Sequence, residues 1–236
     1  SMRASLAAFA LALIVNAVCA PALRSRAEEA SRVAVRNGGL NPANWAFSIW
    51  GILYVAFAVG YFRAWRAGEE ALPTALIGMW LANTLWLGAT AADQWTVGLG
   101  IILAYLAFAL QSLPQLQGDI AGSHILGAST AATAVWLVAA ACLNAQSAFP
   151  RAARGIGAAA LPLVGLASWF LVVHAPQLTD SPGIFCAAIL CALAWILAAS
   201  LQRGSIKLVT DPVAAELASA PAAAAAETAP AAVETA

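Results

Sequence analysis

Residues 41–62 read NPANWAFSIWGILYVAFAVGYF, and positions 43–62 form an apolar run without Asp, Glu, Lys or Arg. A helix that crosses the hydrocarbon core of a bilayer needs about 20 such residues, because each adds about 1.5 Å and the core is about 30 Å thick. Asn41 suits the N-cap, and Pro42 suits the first helical position, where a missing backbone N–H costs nothing. This stretch therefore predicts a membrane-spanning helix with a defined start.

Six more runs of the same kind flank this stretch. The seven predicted spans are 4–23, 43–62, 74–92, 95–113, 124–145, 156–175 and 183–202. In lipid only helices and closed barrels satisfy the backbone, and these runs lack the alternating polarity of barrel strands. We therefore predict an all-α fold, a polytopic membrane bundle of seven transmembrane helices.

The composition excludes a soluble enzyme and a nucleic-acid-binding protein. Of the 236 residues, 62% are hydrophobic and 9% charged, with a mean hydropathy of +0.82. Soluble domains carry about 25% charged residues, so this chain lacks the polar surface of a water-facing globule. Eleven basic and eleven acidic residues leave no net charge to attract nucleic acid. The bilayer itself is the first partner that we expect.

The predicted spans also lack the residues of common membrane chemistries. An intramembrane Asp, Glu, Lys or Arg usually marks a proton relay or an ion path, and its absence disfavours pumps and voltage sensors. The four cysteines have no zinc-site spacing, so we predict no metal site. His124 and His174, at span ends, could each ligate a haem or chlorophyll metal, but an interfacial polar role is the interpretation that we favour. We predict no catalytic residue.

Basic residues are unequally divided between the two ends of the predicted bundle. One end has three, Arg3, Arg63 and Arg66. The other end has eight, Arg24, Arg26, Arg32, Arg36, Arg151, Arg154, Arg203 and Lys207. Because cytoplasmic ends of membrane proteins carry the excess of basic residues, we predict an integral multi-pass protein with its N-terminus outside and its C-terminus in the cytoplasm.

Aromatic side chains recur along one face of the second span. At about 100° per residue, a single stripe about 80° wide contains Phe47, Trp50, Tyr54, Phe57 and Tyr61. A flat aromatic wall suits planar or rigid apolar ligands, because ring stacking adds to the burial of area. Ordinary packing between helices explains the same periodicity, and the pattern leaves both interpretations open.

An amide lies between two indoles in the third span. Trp80, Asn83 and Trp86 fall within about 120° of one another on the helix. Asn83 could pair across helices, with Asn16 as one candidate, or could contact a ligand. The sequence does not decide between these two roles.

These residues, with WLVAAACLN at positions 136–144, resemble the translocator protein and tryptophan-rich sensory protein family (TspO/MBR). The family pattern in the second helix is matched by Pro42, Trp45, Phe47, Trp50 and Tyr54. The third-helix pair is matched by Asn83 and Trp86. The proline that short family members carry between the Phe and the second Trp is absent, since only Ser48 and Ile49 intervene.

The resemblance implies a five-helix core at 4–146, to which 147–203 adds two helices. We expect the Ala- and Pro-rich stretch 204–236 to be a disordered tail. The implied pocket lies between the first, second and neighbouring helices under a loop at 24–41. The loop arginines, Arg24, Arg26, Arg32 and Arg36, could pair with propionates of a tetrapyrrole, although the positive-inside tendency alone explains them.

The leading hypothesis is a membrane protein that binds a small hydrophobic, planar ligand, such as a porphyrin, a haem precursor or a sterol, and senses it or assists its movement. No cofactor is certain. The predicted ligand-binding residues are Trp45, Phe47, Trp50, Tyr54, Asn83, Trp86, Trp136 and Asn144. The alternatives are an enzyme that degrades a tetrapyrrole, as has been proposed for the family, and a membrane scaffold without a ligand. A homodimer stays open.

Overall fold

The fold is described from a computed structural model, which covers residues 1–36, 43–116 and 122–210. This described part contains seven α-helices and no strand, which confirms the predicted all-α fold. The helices are α1 (Met2–Arg36), α2 (Ile49–Arg66), α3 (Thr74–Ala91), α4 (Trp95–Ser112), α5 (Ser123–Ala148), α6 (Ala153–Leu178) and α7 (Pro182–Thr210).

The helices are those of an integral multi-pass membrane protein. Among the described helices, all but α3 are long and apolar enough to cross a membrane. α3 has 18 residues, like α2 and α4, and it carries two tryptophans and Asn83, which lower its hydropathy. These three side chains are buried in the bundle, where α3 packs along α1 and α4. Burial of its polar residues therefore allows α3 to lie among the spanning helices.

Successive helices run in opposite directions. The backbone N–H of Met2 donates to the carbonyl of Glu70, 2.9 Å away, so α1 begins beside the turn between α2 and α3. The Arg26 guanidinium lies 3.7 Å from the carboxylate of Asp93, so the other half of α1 reaches the turn between α3 and α4. We call these two ends of the bundle the Met2 end and the Arg26 end.

α1 is longer than its predicted span. The prediction of a loop at 24–41 is wrong for residues 24–36, which are helical. The helix continues through Pro21 to Arg36, 35 residues in all. The added segment, RSRAEEASRVAVR, is rich in Ala, Glu and Arg, which favour helix, and Arg26 pairs with Glu29 one turn later at 3.4 Å. A helix of this length measures about 52 Å, so α1 extends beyond the hydrocarbon core at the Arg26 end.

The start of α2 also differs from the prediction. The α-helix begins at Ile49, after a 3₁₀ turn at Asn44–Ser48, and the predicted cap residues Asn41 and Pro42 lie outside the described residues. α7 holds this turn from the side. The Ala43 N–H donates to the Ala199 carbonyl at 3.0 Å, and the Trp195 indole N–H donates to the Ala46 carbonyl at 3.0 Å.

α6 and α7 pack against α5, as an addition to the bundle formed by α1 to α5. α7 extends to Thr210, past residue 204, where we expected the tail to begin. Residues 211–236 lie outside the described part of the chain, so the disorder expected there stays a prediction. The domain boundaries at residues 146 and 203 likewise stay predictions.

α5 is the central helix. It packs against α2, α4, α6 and α7, and 89% of its most apolar stretch is buried. Its side chains are mostly small, which lets neighbouring backbones approach closely, as membrane helices commonly do. α2 crosses it at Gly60, where an added Cβ would lie 2.7 Å from Leu126 Cδ2. Gly122, at a φ of +83°, precedes α5, and an added Cβ there would lie 2.8 Å from the Gly60 carbonyl oxygen.

We expect Gly60→Ala to loosen the crossing of α2 and α5, because the new methyl group overlaps Leu126. Overpacking of this kind costs about 1–3 kcal/mol, so the thermal unfolding temperature in detergent should fall. Gly51→Ala is the matched control in the same helix, since a Cβ there meets nothing within 4 Å. Equal unfolding temperatures for the two variants would contradict the close approach.

Candidate functional site: an aromatic cluster

The aromatic stripe of α2 faces the inside of the bundle, as its periodicity suggested. Tyr54, Phe57 and Tyr61 are all buried, at 8%, 0% and 1% exposure. They meet Phe9 of α1 and Trp80 of α3, whose ring centroids are 4.7 Å apart. The Phe57 ring stands edge-on to Trp80 at 4.8 Å. The rings fill the space between α2 and α3, whose backbones scarcely approach each other.

Toward the Met2 end, the polar atoms of these rings are satisfied within the protein. The Tyr61 hydroxyl lies 2.7 Å from the Ser5 hydroxyl and accepts a hydrogen bond from the Trp80 indole N–H at 2.9 Å. All three side chains are buried. Because each buried polar atom has a partner, this group is a stable interhelical connection rather than a binding site.

Toward the Arg26 end, the rings gather around Trp50. Its ring centroid lies 5.8 Å from Tyr54, 5.9 Å from Trp86, 6.2 Å from Tyr105 and 6.4 Å from Trp136. These distances are in the range of favourable ring pairs. Tyr105 and Trp136 are fully buried, whereas Trp50 is half-buried. We call these five rings, from helices α2 to α5, the Trp50 cluster.

The Trp50 cluster, unlike the rings near Met2, leaves polar atoms without partners. Asn83 accepts a hydrogen bond from the Tyr54 hydroxyl at 3.4 Å, rather than pairing with Asn16 as one expectation held. Among the described residues, Asn83 Nδ2, the Tyr105 hydroxyl and Trp136 Nε1 make no well-formed hydrogen bond, although the Asn83 amide lies close enough to Tyr105 to interact with its hydroxyl. Each of these side chains is at most 1% exposed. Burial of an unsatisfied polar group is costly, and within a bilayer the loss is several kcal/mol.

A hydrogen bond from α3 to α5 fixes the position of the Trp86 ring. Its indole N–H donates to Asn144 Oδ1 at 3.2 Å, and Asn144 Nδ2 donates to the Ala140 carbonyl at 2.9 Å. α4 comes close at Gly98, where a Cβ would lie 3.1 Å from Asn144 Oδ1. The Asn144 amide is thus used within the protein and positions the Trp86 ring.

The structure brings most of the predicted ligand-binding residues together. Trp50, Tyr54, Trp86 and Trp136 belong to the cluster, and Asn83 and Asn144 bond to its rings. Phe47 stands edge-on to Trp136 at 5.8 Å and is 37% exposed. Trp45 lies apart, since its ring packs edge-on against Trp195 of α7 at 5.0 Å. The role of all eight as ligand contacts stays a prediction.

Two residues of the aromatic interior were missed in the sequence. Tyr105 is the only tyrosine outside the second span. A single phenol within an otherwise apolar run could have indicated that it is buried in the bundle. Phe9 contacts four rings of α2 and α3, yet nothing distinguishes it within the first run. Of the arginines expected to roof the site, Arg26 instead pairs with Glu29 and Asp93.

Comparison of the chain with models of protein families, with curated proteins and with solved structures finds no match. Membership of the TspO/MBR family therefore stays a prediction, carried by the residues quoted from the second, third and fifth helices. The structure itself shows a membrane helix bundle with a buried aromatic cluster.

We expect Gly98→Ala to displace Asn144 and weaken its hydrogen bond to Trp86, because the new methyl group would lie 3.1 Å from Asn144 Oδ1. The tryptophan fluorescence spectrum should shift, and the unfolding temperature should fall with a loss of about 1–3 kcal/mol. Gly100→Ala, two residues along the same helix, meets nothing within 4 Å and serves as the control. A spectrum for Gly98→Ala like that of the control would contradict the close contact.

Proposed function

We propose that this chain is a membrane protein of the TspO/MBR type that binds a hydrophobic, planar ligand, a porphyrin, a haem precursor or a sterol, at the Trp50 cluster. The observation that carries the proposal is the set of three fully buried polar atoms, on side chains that surround Trp50, that make no well-formed hydrogen bond. Since such atoms are costly in lipid, a ligand that bonds them would recover part of that cost.

The rings supply the apolar part of the binding energy. Burial of apolar surface contributes about 25 cal/mol per Å², and each ring pair adds about 0.5–1.5 kcal/mol. Trp50 is the least buried ring of the cluster, so it is where a ligand would first make contact. Because its neighbours come from α2, α3, α4 and α5, a ligand seated against Trp50 would contact four helices at once.

The chemistry of the cluster favours binding over catalysis. None of its five rings, nor Asn83 beside them, is His, Asp, Glu or Lys, and its tyrosines, Tyr54 and Tyr105, are the only side chains of the cluster among the types that serve as general acids and bases. We therefore propose that the protein senses a ligand or assists its movement.

Titration of the protein in nanodiscs with the dimethyl ester of protoporphyrin IX, which keeps the porphyrin ring without charged propionates, tests this proposal. We expect saturable binding, seen as a shift of the porphyrin absorbance band together with quenching of tryptophan fluorescence. The double variant Trp50→Ala, Tyr54→Ala should bind at least tenfold more weakly, because two ring contacts are lost, worth about 0.5–1.5 kcal/mol each beyond the area that they bury.

Trp169→Ala is the matched control for this titration. Trp169 lies on α6, 62% exposed, and belongs to no part of the cluster. Its loss should leave the affinity unchanged. Undiminished affinity in the double variant, or an equal loss in Trp169→Ala, would overturn the proposed site.

We further infer that the Arg26 end faces the cytoplasm, because it carries the excess of basic residues. The described contacts support the grouping of these residues at one end, since Arg26 adjoins the α3–α4 turn and α7 adjoins the start of α2. The N-terminus would then be outside and the C-terminus inside.

Labelling of single added cysteines tests this orientation. A membrane-impermeant maleimide applied to intact cells should label Ala67→Cys, an exposed position in the turn between α2 and α3. Arg151→Cys, exposed between α5 and α6, should react only after the cells are permeabilised. The unchanged protein corrects for its four own cysteines, and the reverse pattern would mean the opposite orientation.

A further inference from the structure

The unpartnered polar atoms of the Trp50 cluster share one chemical property, which is that each can donate a hydrogen bond. Asn83 Nδ2 and Trp136 Nε1 are donors only, and the Tyr105 hydroxyl donates as well as accepts. The amide oxygens nearby are already engaged, since Asn83 Oδ1 accepts from Tyr54 and Asn144 Oδ1 accepts from Trp86. The cluster therefore has donors to offer and lacks free amide acceptors.

These donors belong to neighbouring side chains on three helices. Asn83 lies on α3, Tyr105 on α4 and Trp136 on α5. The rings of Tyr105 and Trp136 both lie within 6.4 Å of the Trp50 centroid, and Asn83 bonds to Tyr54, which stacks on Trp50. A flat ligand against Trp50 would thus have donors on more than one edge.

The charge of the surroundings limits which acceptor fits. No Lys or Arg occurs in α3, α4 or α5, the helices that carry these three donors. A carboxylate buried at the cluster would be an unpaired charge, and neutral donors compensate a buried charge poorly. A carbonyl or ester oxygen accepts the same hydrogen bonds without that penalty.

We propose that the Trp50 cluster selects uncharged ring compounds with carbonyl or ester oxygens, and that it rejects the same rings when they lack these oxygens or carry a carboxylate there. This inference rests on the proposed function and narrows it. Among tetrapyrroles it favours esterified over free-acid forms at this depth, and among steroids it favours ketones.

Three probes with one ring skeleton separate the contributions. 9,10-Anthraquinone carries two carbonyl groups, anthracene carries none, and anthraquinone-2-carboxylate adds a negative charge. Binding is measured by equilibrium dialysis of the protein in nanodiscs, with empty nanodiscs to correct for partition into lipid. The unchanged protein should bind anthraquinone at least tenfold more tightly than either of the other probes.

Tyr105→Phe removes one donor and keeps the ring. We expect it to weaken anthraquinone binding by about threefold to tenfold and to leave anthracene binding unchanged. Because the Tyr105 hydroxyl makes no well-formed hydrogen bond and has only the nearby Asn83 amide to lose, the unfolding temperature should change little. Trp136→Phe should act in the same direction on anthraquinone, and it serves as the second variant if Tyr105→Phe folds poorly.

Tyr61→Phe is the matched control, since it removes the hydroxyl that bonds Ser5 and Trp80 outside the Trp50 cluster. It should lower the unfolding temperature and leave the ratio of anthraquinone to anthracene affinity unchanged. The two tyrosines therefore separate a role in binding from a role in stability.

The outcomes distinguish this inference from the function on which it rests. If the porphyrin binds but the three tricyclic probes bind with equal affinity, the carbonyl selectivity is overturned and the binding site stands. The same conclusion follows if the preference for anthraquinone over anthracene survives in the Tyr105→Phe, Trp136→Phe double variant. Tight binding of the carboxylate overturns the requirement for neutrality. Absence of binding by every probe, the porphyrin included, overturns the proposed function as well.

Discussion

Close packing around α5 is the constraint on which the rest of the bundle depends. Four other helices pack against it, which is possible because its side chains are mostly small and because Gly60 and Gly98 bring α2 and α4 near. Large side chains must then lie elsewhere, and they fill the space between α1, α2 and α3 as stacked and edge-on rings. Trp136 is the one tryptophan of α5. Its ring stands edge-on to both Phe47 and Trp50, so it connects α5 to the aromatic rings of the neighbouring helices.

The aromatic interior divides into two parts that differ in their polar atoms. Near Met2 the group of Ser5, Tyr61 and Trp80 is complete, so it contributes stability and rigidity. Around Trp50 three buried donors are left without partners, an arrangement that lowers stability. Natural proteins tend to retain locally destabilising features at functional sites. We therefore place the proposed binding site at the second part and not at the first.

Much of the fold follows from hydrophobic periodicity. The predicted spans at 74–92 and 95–113 end within one residue of α3 and α4, and the 100° repeat placed Tyr54, Phe57 and Tyr61 inward. The extension of α1 was missed because the family resemblance implied a loop at 24–41, although the Ala, Glu and Arg residues there are good helix formers. Phe9 and Tyr105 were missed for another reason. Which residues meet across helices depends on the rotation and spacing of each helix, and neither is contained in a local pattern.

The polar residues of α5 have a consequence for how the chain is made. Thr133, Asn144, Gln146 and Ser147 each donate to a carbonyl four residues earlier in the same helix, at 2.7, 2.9, 3.3 and 3.1 Å. During translation α5 emerges before α6 and α7, so part of its surface meets acyl chains before those neighbours exist. Because these four donors are satisfied internally, their exposure to lipid before the later helices arrive costs less than the exposure of unpaired donors would.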